Sequence, residues 1–221
     1  NDIFLRILKF SPRNKNALKS LLLVNEKLKN FKKAKEITQA LEELNVDVSI
    51  EKLYFDTLII LNDSILSYEK RTELLFEIFK ENKIIQRIFA TFLIQSNREF
   101  FFSNIDMFDC EKLIDILWYQ KKEDIDFDKI KNNKFLNELY SAKNYINSVS
   151  NSSDFDLNIL ILINNHQKDI KTNLTFEFIC KSCKHSSPFY DARCPNCHSI
   201  LSLEVKHHLT KAYELSNQSL Q

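Results

Sequence analysis

Apolar residues recur three and four positions apart through the first two-thirds of the chain and alternate one by one near its end, a pattern that predicts helices followed by a small sheet. Within residues 13–46, Leu18, Leu21, Leu22 and Leu28 share one helical face. Asn30 and Phe31 mark a turn, and Ala34, Ile37, Leu41 and Leu44 form a second apolar face. Two such stripes around a polar turn predict a helix–turn–helix of about 34 residues, the length of a tetratricopeptide (TPR) repeat. Leu18, Leu21, Phe31, Ala34 and Leu41 stand where that repeat packs its helices, and small Ala34 lets the paired helix approach closely. Leu22 replaces the usual glycine and Val46 the usual terminal proline. Residues 3–12, closed by Pro12, read as the second helix of an earlier repeat.

Downstream, residues 50–61 and 70–80 predict another helical pair. Residues 84–96, 110–120 and 135–149 predict further helices, with Phe100, Phe101 and Phe102 joining two of them and a short helix at 157–165. Trp118 and Tyr119 read as packing residues. The stretch 147–156, rich in Asn, Ser and Asp, predicts a linker. After it Leu174, Phe176 and Phe178 alternate with Thr175 and Glu177, a strand signal, and residues 202–206 are placed to pair back on that strand. Residues 208–221 predict a closing helix. The expected fold is therefore mostly α: a TPR-like helical-pair solenoid over residues 1–150, a linker with a short helix over 151–173, and a small rubredoxin-like or zinc-ribbon module with a C-terminal helix over 174–221.

Composition sharpens this picture. The chain of 221 residues has no glycine, three prolines and eighteen phenylalanines. Without glycine, turns fall to Asn, Ser and Asp, and the phenylalanines supply an aromatic helical interior. A net charge of +1 gives no global field toward nucleic acid or anionic lipid. No run of about 18 apolar residues predicts a membrane span. The chain opens at Asn1 directly into a helical segment, as expected if the natural N-terminus, with any anchor or signal, lies upstream.

The strongest chemical signal is a pair of C-x-x-C motifs, Cys180-Lys-Ser-Cys183 and Cys194-Pro-Asn-Cys197. Each pair offers two thiolates from one tight turn, and the excursion between them brings the second turn opposite the first. Four sulfurs then surround one ion tetrahedrally at about 2.3 Å, leaving no open position for water or substrate. The expected site is thus structural: one ion held by Cys180, Cys183, Cys194 and Cys197. Zinc suits four thiolates, and iron in a rubredoxin-like site is the competitor. Rubredoxin knuckles usually carry glycine after the second cysteine, where this chain has Lys184 and His198. Two disulfides in an oxidising compartment are the alternative, but they would leave Cys110 unpaired, so a reducing compartment is favoured. His185 and His198 adjoin the knuckles without being needed as ligands. His207 and His208 read as solvated.

Taken together, the repeat at 13–46 and the segments Phe178-Ile-Cys-Lys-Ser-Cys183, Phe189-Tyr190 and Arg193-Cys-Pro-Asn-Cys197 resemble the lipopolysaccharide assembly protein B (LapB/YciM) family, whose members join TPR repeats to a C-terminal rubredoxin-type module. The resemblance implies a non-enzymatic adaptor on the cytoplasmic face of the bacterial inner membrane. Its members are tethered by an N-terminal helix and work with the membrane protease FtsH to control turnover of LpxC, the enzyme committing lipid A synthesis. It also implies a metal module docked against the repeats.

The residues fit a scaffold for protein partners. No Gly-rich phosphate loop, His-Glu-x-x-His pair or nucleophile elbow is present. One alternative is a chaperone or stabiliser of a membrane assembly such as the flagellar type III export apparatus. Another is a nucleic-acid-binding zinc ribbon, although Lys181, Lys184, Arg193 and Lys206 are scattered among Asp191 and Glu204. A rubredoxin-type electron carrier is a further one. The partner surface has no signature in the sequence.

Overall fold

A chain without glycine must end its helices on residues that carry side chains. Three helices do so alike: Lys29, Asn45 and Asn144 follow their last turns at φ 57°, 55° and 59°. The amide after each reaches back to a carbonyl of the helix's last turn, Asn30 to Asn25, Val46 to Leu41 and Tyr145 to Tyr140, at 2.8–3.1 Å. This left-handed cap normally belongs to glycine, and Asn tolerates it best among the others. Helix starts are equally explicit. The side chains of Asn14, Ser67, Asn97, Asp126 and Asn133 each accept from the backbone N–H three residues on.

The computed structural model describes residues 2–166 and 172–211. The molecule is mostly helical with a small sheet, and it divides into two compact units, residues 1–85 and 86–221.

The first unit holds α1 (Asp2–Phe10), α2 (Lys15–Lys27), α3 (Phe31–Glu42), α4 (Ser49–Asn62) and α5 (Tyr68–Glu81), each packed on the next. Leu18, Leu21, Ala34 and Leu41 are buried as their spacing predicts, with Phe55, Leu75 and Phe79; Phe31 is half-buried. The buried polar side chains Asn25, Thr38, Thr57 and Thr72 bond carbonyls three or four residues back, so they cost the core no unpaired group.

The second unit holds α6 (Gln86–Ser96), α7 (Arg98–Ser103), α8 (Ile114–Trp118), α9 (Phe127–Ile130), α10 (Lys134–Ala142) and α11 (Phe155–His166), then β1 (Thr172–Cys180), β2 (Ser186–Ser187) and β3 (Leu203–Lys211). The phenylalanine run expected to join two helices is itself helical, and Phe101 and Phe102 are buried, Phe101 lying 5.1 Å from the Phe108 ring. The helix expected over 135–149 stops at Ala142, where Asn144 takes the left-handed cap. The sheet is antiparallel in the order β2-β1-β3, with Phe178 opposite Val205 and Cys180 opposite Leu203.

One expectation needs correcting. The helix predicted from residue 208 begins as strand: His208 to Lys211 pair with Thr175 to Thr172, prolonging the hairpin. Residues 212–221 lie outside the described part. Long β1 supplies backbone partners along its whole length, and this tertiary pairing overrides a short segment with no strong local preference. No helix among the described residues is long and apolar enough to cross a membrane.

Candidate metal centre

Both knuckles are built on one backbone frame. The Cys180 N–H donates to the His185 carbonyl and Cys194 N–H to the Ser199 carbonyl, each at 2.9 Å. The Lys184 N–H returns to the Cys180 carbonyl at 2.9 Å, and the His198 N–H to that of Cys194 at 3.0 Å. Lys184 and His198 close these turns at φ 61° and 62°. Both turns thus take the left-handed conformation that glycine adopts freely, through residues for which it costs about 1–2 kcal/mol.

These turns bring all four predicted ligands together. Cys180 Sγ lies 3.7 Å from Cys197 Sγ, and Cys183 Sγ lies 3.7 Å from Cys194 Sγ. All four sulfurs fall within 4.8 Å of one another. An ion at the usual Zn–S distance would space tetrahedral sulfurs about 3.8 Å apart, so the shell fits one metal ion. A disulfide needs about 2.05 Å, and all five cysteines are free.

Hydrogen-bond donors converge on the sulfurs. The amides of Ser182 and Cys183 point at Cys180, and those of Asn196 and Cys197 at Cys194. Ser202 Oγ lies 3.3 Å from Cys180 Sγ, Ser199 Oγ lies 3.2 Å from Cys197 Sγ, and Asn196 Nδ2 donates to Cys183 Sγ at 3.5 Å. Burial opposes ionisation of Cys180, but the Ser202 hydroxyl and the two amides outweigh it and bring the thiol down to about 6. Burial holds Cys194 in the other direction, at about 11. Four thiolates this close repel one another, and a divalent cation relieves that repulsion.

The module does not stand alone within the second unit. Its small core is Phe178, Cys180, Cys194 and Leu203, flanked by Phe176, Tyr190 and Val205. Over it lies Arg87 of α6, its guanidinium carbon 4.0 Å from the Tyr190 ring and 5.2 Å from Phe178. The same guanidinium bonds both oxygens of Asp115 on α8 and the Lys112 carbonyl. Arg87 and Asp115 expose only 13% and 11% of their side chains. Further along the hairpin, Trp118 Nε1 donates to Asn173 Oδ1 at 2.9 Å, and the Tyr119 ring meets Phe176 edge-on at 5.7 Å.

Other sequence candidates fall differently. His185 and His198 are exposed beside the knuckles and outside the sulfur cluster. His207 is not solvated: strand alternation turns it inward, where its Nε2 lies 3.1 Å from Asp154 and 3.9 Å from Asp156 at the start of α11. His208 points the other way, toward Glu177 at 3.0 Å. Lys181 pairs with Glu204 at 2.8 Å, and buried Arg193 donates to the His198 carbonyl at 2.6 Å, so two of the four basic candidates serve the module itself. Cys110 is buried outside the cluster, where burial and then neighbouring Asp109 raise its thiol to about 12. Arg87, Asp115 and Asn173 escape a sequence reading, since each acts through a partner distant along the chain. Compared with known proteins, the chain matches no protein-family model and no curated protein.

Proposed function

We propose that the chain is a non-enzymatic scaffold that binds protein partners through its helical pairs, with a structural zinc ion holding the C-terminal module in shape. The observation that carries this reading is the closed four-sulfur shell: every ligand position is filled by a cysteine, so the site suits a clasp and offers no place for a substrate. Zinc, when bound, supplies a redox-silent tetrahedral centre. The chain's own residues do the rest. Paired knuckle turns hold the sulfurs, amides and hydroxyls share their charge, and Arg87 with Asp115 ties the module to α6 and α8.

Helices α2 and α3 are read as a TPR repeat, and the whole as an adaptor of the kind the lipopolysaccharide assembly protein B family represents, at the cytoplasmic face of a membrane. A membrane protease and its client are the proposed partners. Internal pairing of Lys181 and Arg193 argues for this reading over a nucleic-acid-binding ribbon. The test is crosslinking of the full-length protein in cells, wild type beside Cys194→Ser. The reading expects specific protein partners with the wild type and a weakened set with the variant. Wild type that captures no protein, or purified protein that is red with iron, would refute the scaffold or the zinc respectively.

A further inference from the structure

Charge in this near-neutral chain is strongly segregated. From Arg6 to Lys35, both included, there are ten basic residues and one acid, Glu26, whereas the whole chain has 31 basic and 30 acidic residues. Lys35 pairs with Asp56. The other nine are exposed, and none makes an ion pair among the described residues. Nine unpaired cations on one short stretch make a local positive field that the overall balance conceals.

Three of them surround a groove within the first unit. Lys29, from the turn between α2 and α3, and Lys32 and Lys33, from the first turn of α3, line a space of about 490 Å³ together with Phe31, Ile59, Asp63 and Ile65. Phe31 and Ile59 are half-buried, and Ile65, 91% exposed, adds apolar surface at the groove's rim. Apolar surface beside unpaired lysines calls for an occupant that is both acidic and apolar. A polyphosphate would present charge alone to Phe31, Ile59 and Ile65, and a flat lipid surface would not enter the groove they line. No exposed aromatic ring lines the groove to stack a base, as single-stranded nucleic acid prefers. A peptide satisfies both demands, since its carboxylates and apolar side chains can be spaced independently.

We propose that this groove docks an acidic segment of a partner protein, its carboxylates on Lys29, Lys32 and Lys33 and an apolar side chain against Phe31, Ile59 and Ile65. The remaining cations steer the encounter, so association is fast and salt-sensitive. This proposal rests on the scaffold reading and specifies where one partner binds.

The full chain is titrated with a fluorescein-labelled glutamate-rich peptide carrying one leucine and one phenylalanine. Its all-glutamine counterpart, oligothymidylate and phosphatidylglycerol vesicles are titrated in parallel. The expected result is binding of the acidic peptide, weakened about tenfold by the triple variant Lys29→Glu, Lys32→Glu, Lys33→Glu and about threefold by Ile65→Ser, both with unchanged thermal melts. Since these residues are exposed, the folds should survive. Cys194→Ser should leave binding of this peptide intact, since the groove lies wholly in the first unit, the partners this variant weakens in cells being those that need the C-terminal module. Equal binding of the glutamine peptide, tighter binding of oligothymidylate or vesicles, or indifference to the lysine variant would overturn the proposal. In cells, partners that crosslink equally to wild type and the lysine variant would sink this groove while leaving the scaffold reading in place. Absence of any partner with wild type would sink the scaffold reading itself.

Discussion

Helices α2 to α5 bury Leu18, Leu41, Phe55 and Leu75 along continuous apolar stripes, each helix leaning on its neighbour in sequence. The hairpin module at residues 172–211 has a central cluster of only Phe178, Cys180, Cys194 and Leu203, two of which are cysteines. The helical array thus draws stability from apolar area spread along the chain, a distributed source that tolerates single changes. The module concentrates it in four sulfurs and in the buried Arg87–Asp115 pair that packs over its core, where single changes weigh most. A segment of about 40 residues rarely supplies an adequate core, and here a four-sulfur cluster that can hold one metal ion and an anchor on the helices stand beside the small one.

Metal loss should expose this contrast most. Cys194→Ser, or chelation of wild type, removes a contribution on the order of 10 kcal/mol to the module's folding. Hydrogen exchange should show residues 172–211 losing protection while 15–62 keep theirs. An array that loses protection equally would erase the distinction. Next comes the anchor: Arg87→Ala leaves buried Asp115 unpaired and costs about 3 kcal/mol. Metal content should remain at the wild-type level while exchange in β1 and β3 quickens, since the ion pair binds the module to the helices and touches no sulfur.

Cys110 sharpens the difference between the two kinds of cysteine. An unfolded chain gives up this proton near its ordinary value of 9.0, whereas the folded chain keeps it until about 12. Stability contributed by Cys110 is therefore lost as pH rises through that window, and Cys110→Ala should flatten the fall above about pH 9 in denaturant titrations. Alkylation of chelated protein should strike exposed Cys197 and spare Cys110. Trp118→Phe, which removes the bond to Asn173, should cost about 1 kcal/mol and leave metal binding unchanged. Smallest is Lys184→Gly. Relief of the left-handed turn offset by the flexibility of glycine should stabilise the loaded module by about 0.5 kcal/mol, read as a raised melting temperature.

The two regions also differ in how far their sequences could be read. Helical stripes announced α2 through α6, because local periodicity and burial coincide there. The cysteine spacing announced the four-sulfur cluster, because two nearby sulfurs per turn are a local feature as well. What stayed hidden depends on distant partners. His207 turns toward Asp154 because β3 runs on to Lys211, and β3 runs on because β1 is there to pair with it. Arg87 sits on an ordinary amphipathic helix, and nothing near it in sequence mentions Tyr190 or Phe178. The end of α10 was misplaced because a left-handed Asn144 carries the stop signal that glycine would have made visible.

X-ray absorption at the metal edge, combined with elemental analysis of the purified chain, tests the account most directly. It predicts one zinc per chain bound by four sulfurs at about 2.3 Å. A metal-free protein with disulfides, or an ion with nitrogen or oxygen among its ligands, would contradict it.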